Sequence, residues 1–161
     1  MTENEPARQD IFFQFDQLNK VLIDASSIIY MDRAKFLMLL ASSIRLFSIQ
    51  EILTETGPVS KRIKPLIHNK TASSNDQKLV SCALELNLPV ISEDKKILMA
   101  MKRAGRPFFN SLMMLNFLLY RRRIQNQQYI QYHLALKKFA RYSDDIWDYG
   151  AAVNAAINEL I

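Results

Sequence analysis

Four carboxylates lying far apart in the chain are the side chains best suited to do chemistry: Asp24, Glu55, Asp76 and Asp94. Asp24 closes the apolar run Val21-Leu22-Ile23 and precedes Ala25-Ser26-Ser27. Glu55 follows Glu51 by one helical turn, so the two share a helix face. Asp76 stands in Ser74-Asn75-Asp76, and Asp94 follows Ser92-Glu93 after Pro89-Val90-Ile91. Two of the four follow strand-like runs and two lie on or beside helix starts. An α/β domain can gather such acids into one pocket. Clustered carboxylates are hard oxygen donors and suit Mg²⁺ or Mn²⁺. Taken singly, each acid has an ordinary explanation as a cap or as an anion at a helix start.

Other chemistries find little support. The chain has only three glycines, and neither GxGxxG nor GxxxxGK[ST] occurs. Its one cysteine, Cys82, excludes an internal disulfide, suggests a reducing compartment and is expected to pack on a helix stripe. His68 and His133 have no partners at zinc spacing. No Ser/His/Asp or Cys/His set points to covalent catalysis.

The elements that must position the acids follow from length and pattern. A chain of 161 residues with 49% hydrophobic side chains fits one globular domain with a substantial core. The net charge of +5 and pI near 9.4 are compatible with a polyanionic partner without requiring one. The polar N-terminus MTENEPARQD lacks the apolar stretch of a secretory signal, and no apolar run reaches membrane-spanning length. A cytoplasmic protein without a membrane partner is expected.

Residues 1–20 are expected to form a partly loose leader, with 11–20 packing as a short strand or turn. The domain proper is expected over 21–161. Val21–Ile23 reads as a buried parallel strand. Ser26 or Ser27 is expected to cap a short helix, followed by a longer one over about 33–46. Leu46-Phe47-Ser48 reads as the second strand. Ser48 and Glu51 match a capping box that opens a helix ending at Gly57-Pro58. Residues 57–73 read as a basic connector. Ser74 then opens a helix, Val90-Ile91 is a third strand, a helix runs from about Glu93 to Ala104, and Pro107-Phe108-Phe109 reads as a last strand. Helices over 111–121, about 126–141 and about 144–160 form a C-terminal helical extension. Strands alternating with helices predict a parallel sheet covered on both faces, with a site beyond its carboxyl ends.

Three segments, in order, resemble a PIN domain: VLIDASSIIY, FSIQEILTETG and SSNDQKLVSCALELNLPVISEDKKIL. The resemblance spans roughly Val21 to Ser111. It implies a three-layer α/β/α sandwich and the activity of a metal-dependent nuclease, mostly on RNA, as in VapC-type toxins and RNA-maturation enzymes. In that likeness Asp24 matches the acid after the first strand. Asp76 matches the third acid, with Leu79, Val80 and Ala83, and Asp94 matches the fourth, with Ile91 and Ser92. The second acid is Glu55 by the pattern through Ile49 and Ile52, or Glu51 by the pattern through Ser48; Glu55 is favoured. Ser26 and Ser92 stand where that family's hydroxyls hold a carboxylate or a coordinated water, although either could equally cap a helix. Glu93 is read as solvated.

The expected function is therefore Mg²⁺- or Mn²⁺-dependent hydrolysis of RNA phosphodiester bonds through Asp24, Glu55, Asp76 and Asp94. Lys61, Arg62, Lys64, Lys95, Lys96 and Arg103 are the candidates for gripping RNA phosphates. The run Arg121-Arg122-Arg123 could touch RNA or sit at a helix C-terminus. The alternative is a catalytically weak PIN-like binding module, or a toxin nuclease held by a protein antitoxin. A homodimer through the C-terminal helices is a further expected partner. A receiver-like domain ranks low, because Asp24 lacks an acidic neighbour and no Lys follows Phe109.

Overall fold

The computed structural model describes residues 5–71 and 74–161, with side chains from Asp10 onward. Among these, Lys20–Ile23 forms β1, Arg45–Ile49 β2, Lys64–Leu66 β3, Val90–Ile91 β4 and Phe108–Phe109 β5. The five strands make one all-parallel sheet in the order β3-β2-β1-β4-β5. The chain moves outward from β1 to β3, then crosses back to continue through β4 and β5. The order therefore reverses between β1 and β4. The carboxyl ends flanking such a reversal leave a crevice between the loops.

The apolar run at β1 has the composition expected of a central strand. Val21, Leu22 and Ile23 are fully buried because helices cover both faces of the sheet. α2 (Ala25–Ala34), α3 (Leu37–Ser43) and α4 (Gln50–Thr56) connect β1, β2 and β3. α5 (Asn75–Leu86) and α6 (Lys95–Arg103) connect β3, β4 and β5. Right-handed crossovers put the first set on one face and the second on the other, since the chain travels in opposite directions across the sheet. The contacts divide the same way: α2 touches α4, while α5 touches α6. The arrangement is compatible with a three-layer α/β/α fold.

Three helices follow: α7 (Ser111–Tyr120), α8 (Asn126–Lys137) and α9 (Asp144–Leu160). α7 is buried along nearly its whole length, and α2, α3, α8 and α9 pack on it. The C-terminal helices therefore share the core of the sheet domain. The close approach of α9 to α7 depends on Gly150, where a Cβ would stand 2.5 Å from Leu112 Cδ2.

Several boundaries depart from the sequence reading. Residues 11–17 belong to a helix, α1 (Glu5–Gln17), and not to a strand or turn. Its Phe15 is fully buried against Phe109, Phe117 and Tyr120. Burying such a side chain contributes roughly 1.5–3 kcal/mol. Residues 1–4 of the expected leader lie outside the described residues. The single helix expected over 33–46 does not form. α2 ends at Lys35, which has a left-handed φ of 72°, and α3 starts afresh after Phe36. The connector over 57–73 contains a short 3-10 turn (Gly57–Ser60) and the edge strand β3. Its residues 72 and 73 also lie outside the described residues. Arg121 takes the helix-terminal role: its Nη2 donates to the carbonyls of Phe15 (2.9 Å) and Leu18 (3.2 Å) where α1 ends.

Candidate active site

Asp24 follows the last residue of β1, and its amide donates to Ile91 O of β4 at 2.9 Å. The sheet itself thus sets the backbone of the first acid. Its side chain is 5% exposed, and Oδ2 accepts two hydroxyls at 2.9 Å, from Ser26 and from Ser92. Asp24 occupies the N-cap position of α2 but accepts no capping bond from it. Neither Ser26 nor Ser27 caps that helix.

The two serines also hold the loop after β4. Ser26 Oγ accepts the Glu93 amide at 3.1 Å, and Ser92 Oγ accepts the Asp94 amide at 3.0 Å. Asp94 is the N-cap of α6, its Oδ1 accepting the Lys96 amide at 2.8 Å. The hydroxyls of Ser26 and Ser92 therefore connect Asp24 to the segment that carries Asp94. A buried carboxylate needs such donors, because leaving it unpaired in the interior is costly.

Asp76 lies in the first turn of α5, after Ser74, whose Oγ caps the helix by accepting the Gln77 amide at 3.1 Å. Partial burial pushes the Asp76 carboxyl above its ordinary value, and the negative charges of Asp24, Asp94 and Glu55 push it in the same direction. Interaction with the Asp94 side chain adds to the effect. Asp76 thus lies within the field of the other three acids. Their field does not amount to a finished coordination shell. Among the described residues, no three His, Cys, Asp or Glu side chains are grouped to hold a metal ion. In donor type the four carboxylates suit a hard cation; in placement no three of them are grouped around one.

Glu51 is engaged elsewhere. Both of its carboxylate oxygens lie 3.1 Å from His68 Nε2, and Lys78 Nζ lies 3.3 Å away. His68 Nδ1 accepts the Lys70 amide at 3.0 Å, so Nε2 carries the proton and donates to Glu51. The His68 hydrogen bond holds the Glu51 carboxyl below its ordinary value. The expected capping box is absent. Ile49 is the N-cap of α4, and Ser48 lies in β2, donating to Ile23 O at 2.7 Å.

Glu93 overturns the expectation of a solvated side chain. Its carboxylate accepts from the hydroxyls of Ser27, Ser111 and Tyr142 and from the Ser111 amide at 3.2 Å. Burial pushes its carboxyl up, while these donors oppose the shift. The donors come from α2, from the first turn of α7 and from the segment before α9. Glu93 therefore fastens the C-terminal helices to the loop that bears Asp94. In the sequence only the serines and Tyr142 as potential donors hinted at this, and they are too distant to pair by pattern.

The basic candidates disperse. Lys95 and Lys96 open α6 beside Asp94, and Arg103 closes it at the far end. Lys61, Arg62 and Lys64 lead into the amino end of β3, away from the carboxyl edge where the acids converge. No helix among the described residues is long and apolar enough to cross a membrane.

No model of a known protein family matches the chain, and neither curated proteins nor solved structures provide a match.

Proposed function

We propose that the chain is a metal-dependent endoribonuclease of PIN-like architecture, acting through Asp24, Glu55, Asp76 and Asp94. What supports this reading is that the hydroxyls of Ser26 and Ser92 tie the buried Asp24 carboxylate to the loop bearing Asp94, across the point where the strand order reverses. Asp24 follows β1 and Asp94 follows β4, on either side of the point where strand order reverses, while Glu55 and Asp76 lie on α4 and α5. Asp76 is raised by burial and by the charges of its acidic neighbours, a cost to stability near neutral pH that a bound cation would offset.

Asp24, Asp76 and Asp94 would hold the cation together with Glu55, the second acid in chain order. When bound, Mg²⁺ or Mn²⁺ would offset the repulsion between the acids and an RNA phosphate, make water a better nucleophile and stabilise charge on the leaving oxygen. The protein's own part is positional. Ser26 and Ser92 fix the Asp24 carboxylate, Ser92 and Ser26 hold the Asp94 loop against it, and Lys95 and Lys96 supply positive charge for the RNA backbone. The resemblance implies products with 5′-phosphate and 3′-hydroxyl ends.

A second reading is a PIN-like binding module with weak or no catalysis, with or without a protein antitoxin. It is favoured by one observation, that the described residues contain no closed metal-ligating group. Incubation of a mixed pool of structured and single-stranded RNA with Mn²⁺, with Mg²⁺ and with EDTA separates the two. The nuclease cuts with either metal, stops in EDTA, and loses activity in Asp24→Asn. Folded, monodisperse protein that cuts nothing supports the binding module.

A further inference from the structure

A groove of about 640 Å³ runs between α5 and α6. Asp76, Val80 and Ser81 line it from α5, and Lys96, Ile97 and Ala100 line it from α6. Asp76 lines this groove on one wall, and on the other the Lys96 amide donates to Asp94 Oδ1 at 2.8 Å, so the groove adjoins two of the acids. Val80 follows Asp76 by one turn, and Ala100 follows Lys96 by one turn. Each helix thus presents a charged residue near the acids and a small apolar residue one turn beyond. Ile97, fully buried, forms the floor.

The charge of Lys96 suits an anion. Its amide is used by Asp94, but its ammonium forms no ion pair among the described residues. The groove therefore offers an apolar floor with a cation at one side and the acids at its mouth.

We infer that this groove seats the nucleotide adjoining the scissile phosphate of a single-stranded RNA, with its base against Val80 and Ala100 and its outer phosphate on Lys96. The inference rests on the nuclease function proposed above. A cleft between two helices admits a base only when that base is unpaired and unstacked, which a duplex does not permit. Among the described residues no aromatic side chain lines the groove, so the base is held by aliphatic contact and by fit. The Ser81 hydroxyl stands on the same wall, where it can meet a polar base edge.

The test measures fluorescence anisotropy of a five-nucleotide oligouridine on Asp24→Asn protein, which removes cleavage while leaving the groove intact. Ala100→Leu fills the groove with a good helix former and is expected to weaken binding by about tenfold. Lys96→Gln is expected to weaken it severalfold and to reduce the slope of log affinity against log salt by roughly 0.7. Ala100→Ser, which keeps the groove open, should bind like its parent. Unchanged affinity in both Ala100→Leu and Lys96→Gln overturns the inference. An equal loss on a blunt RNA duplex contradicts the single-strand assignment. Placing the same two substitutions in the otherwise wild-type chain distinguishes the two failures. RNA cleavage untouched by either variant overturns the groove and leaves the nuclease standing. A wild type that cleaves no RNA with either metal overturns the nuclease function and, with it, the scissile-phosphate assignment.

Discussion

Ser92 donates its hydroxyl to Asp24 across 68 residues of chain, at 2.9 Å, with both residues buried. The bond joins the ends of β1 and β4 at the point where the strand order reverses. It also leaves Ser92 Oγ free to accept the Asp94 amide, so one hydroxyl positions two of the four acids. Ser92→Ala removes a donor from a buried carboxylate and should cost about 1.5–3 kcal/mol of stability. Metal affinity should fall by about 10–100-fold, as for other outer-shell partners of ligating groups. Urea denaturation and a Mn²⁺ titration check both figures. A variant equal to the wild type in both would mean that Ser92 is a passive neighbour.

Asp76→Asn should abolish cleavage and yet stabilise the fold. The Asp76 carboxyl is raised in the folded state by burial and by its acidic neighbours. The folded protein therefore binds this proton more tightly than the unfolded chain does. Stability falls as pH rises from the ordinary carboxyl range through the raised value, and the penalty is complete above it. The advantage of Asn should be largest near neutral pH and should vanish in strong acid. Urea midpoints across pH measure it; an advantage that grows as pH falls has the wrong sign.

Glu51 and Glu55 separate by role. Glu51→Gln should leave cleavage intact, because its carboxylate faces His68 and Lys78. Glu55→Gln should lose most of it, because Glu55 contributes to the field on Asp76. The Glu51 carboxyl is depressed, so its contribution to stability is present above the ordinary value and disappears as pH falls through the depressed one. RNA cleavage by the two variants, side by side, decides the assignment. The opposite pattern makes Glu51 the second acid.

Glu93→Ala should destabilise the protein by about 3 kcal/mol, since three hydroxyls and an amide lose a shared acceptor. Hydrogen exchange should rise in the segment around Tyr142 at the start of α9. Glu93→Gln, which keeps one acceptor oxygen, should lose less. Unchanged exchange in the alanine variant would show that α9 does not depend on this contact.

The strands were largely legible because buried parallel strands leave short apolar runs, and Val21–Ile23 and Val90–Ile91 are such runs. The caps at Ser74, and the left-handed Gly105 after α6, were legible for similarly local reasons. Tertiary contacts were not. α1 has little apolar periodicity, yet Phe15 fixes it against Phe109 and Phe117. Glu51 matches a local capping pattern, but His68, delivered by the segment after β3, competes for it. Glu93 looks like any acid before a helix until α7 and α9 bring its donors. The positions of Asp24 and Asp94 just past strand ends were readable in the sequence; that no three of the acids group together among the described residues was not.

The most direct measurement is calorimetric titration of Mn²⁺ into the wild type, Asp76→Asn, Asp94→Asn and Glu51→Gln, each confirmed folded. Saturable binding is expected for the wild type and for Glu51→Gln, with affinity lower by about tenfold or more in the two aspartate variants. Equal binding by all four proteins, or none by the wild type, would contradict the claim that these acids form a metal-dependent active site.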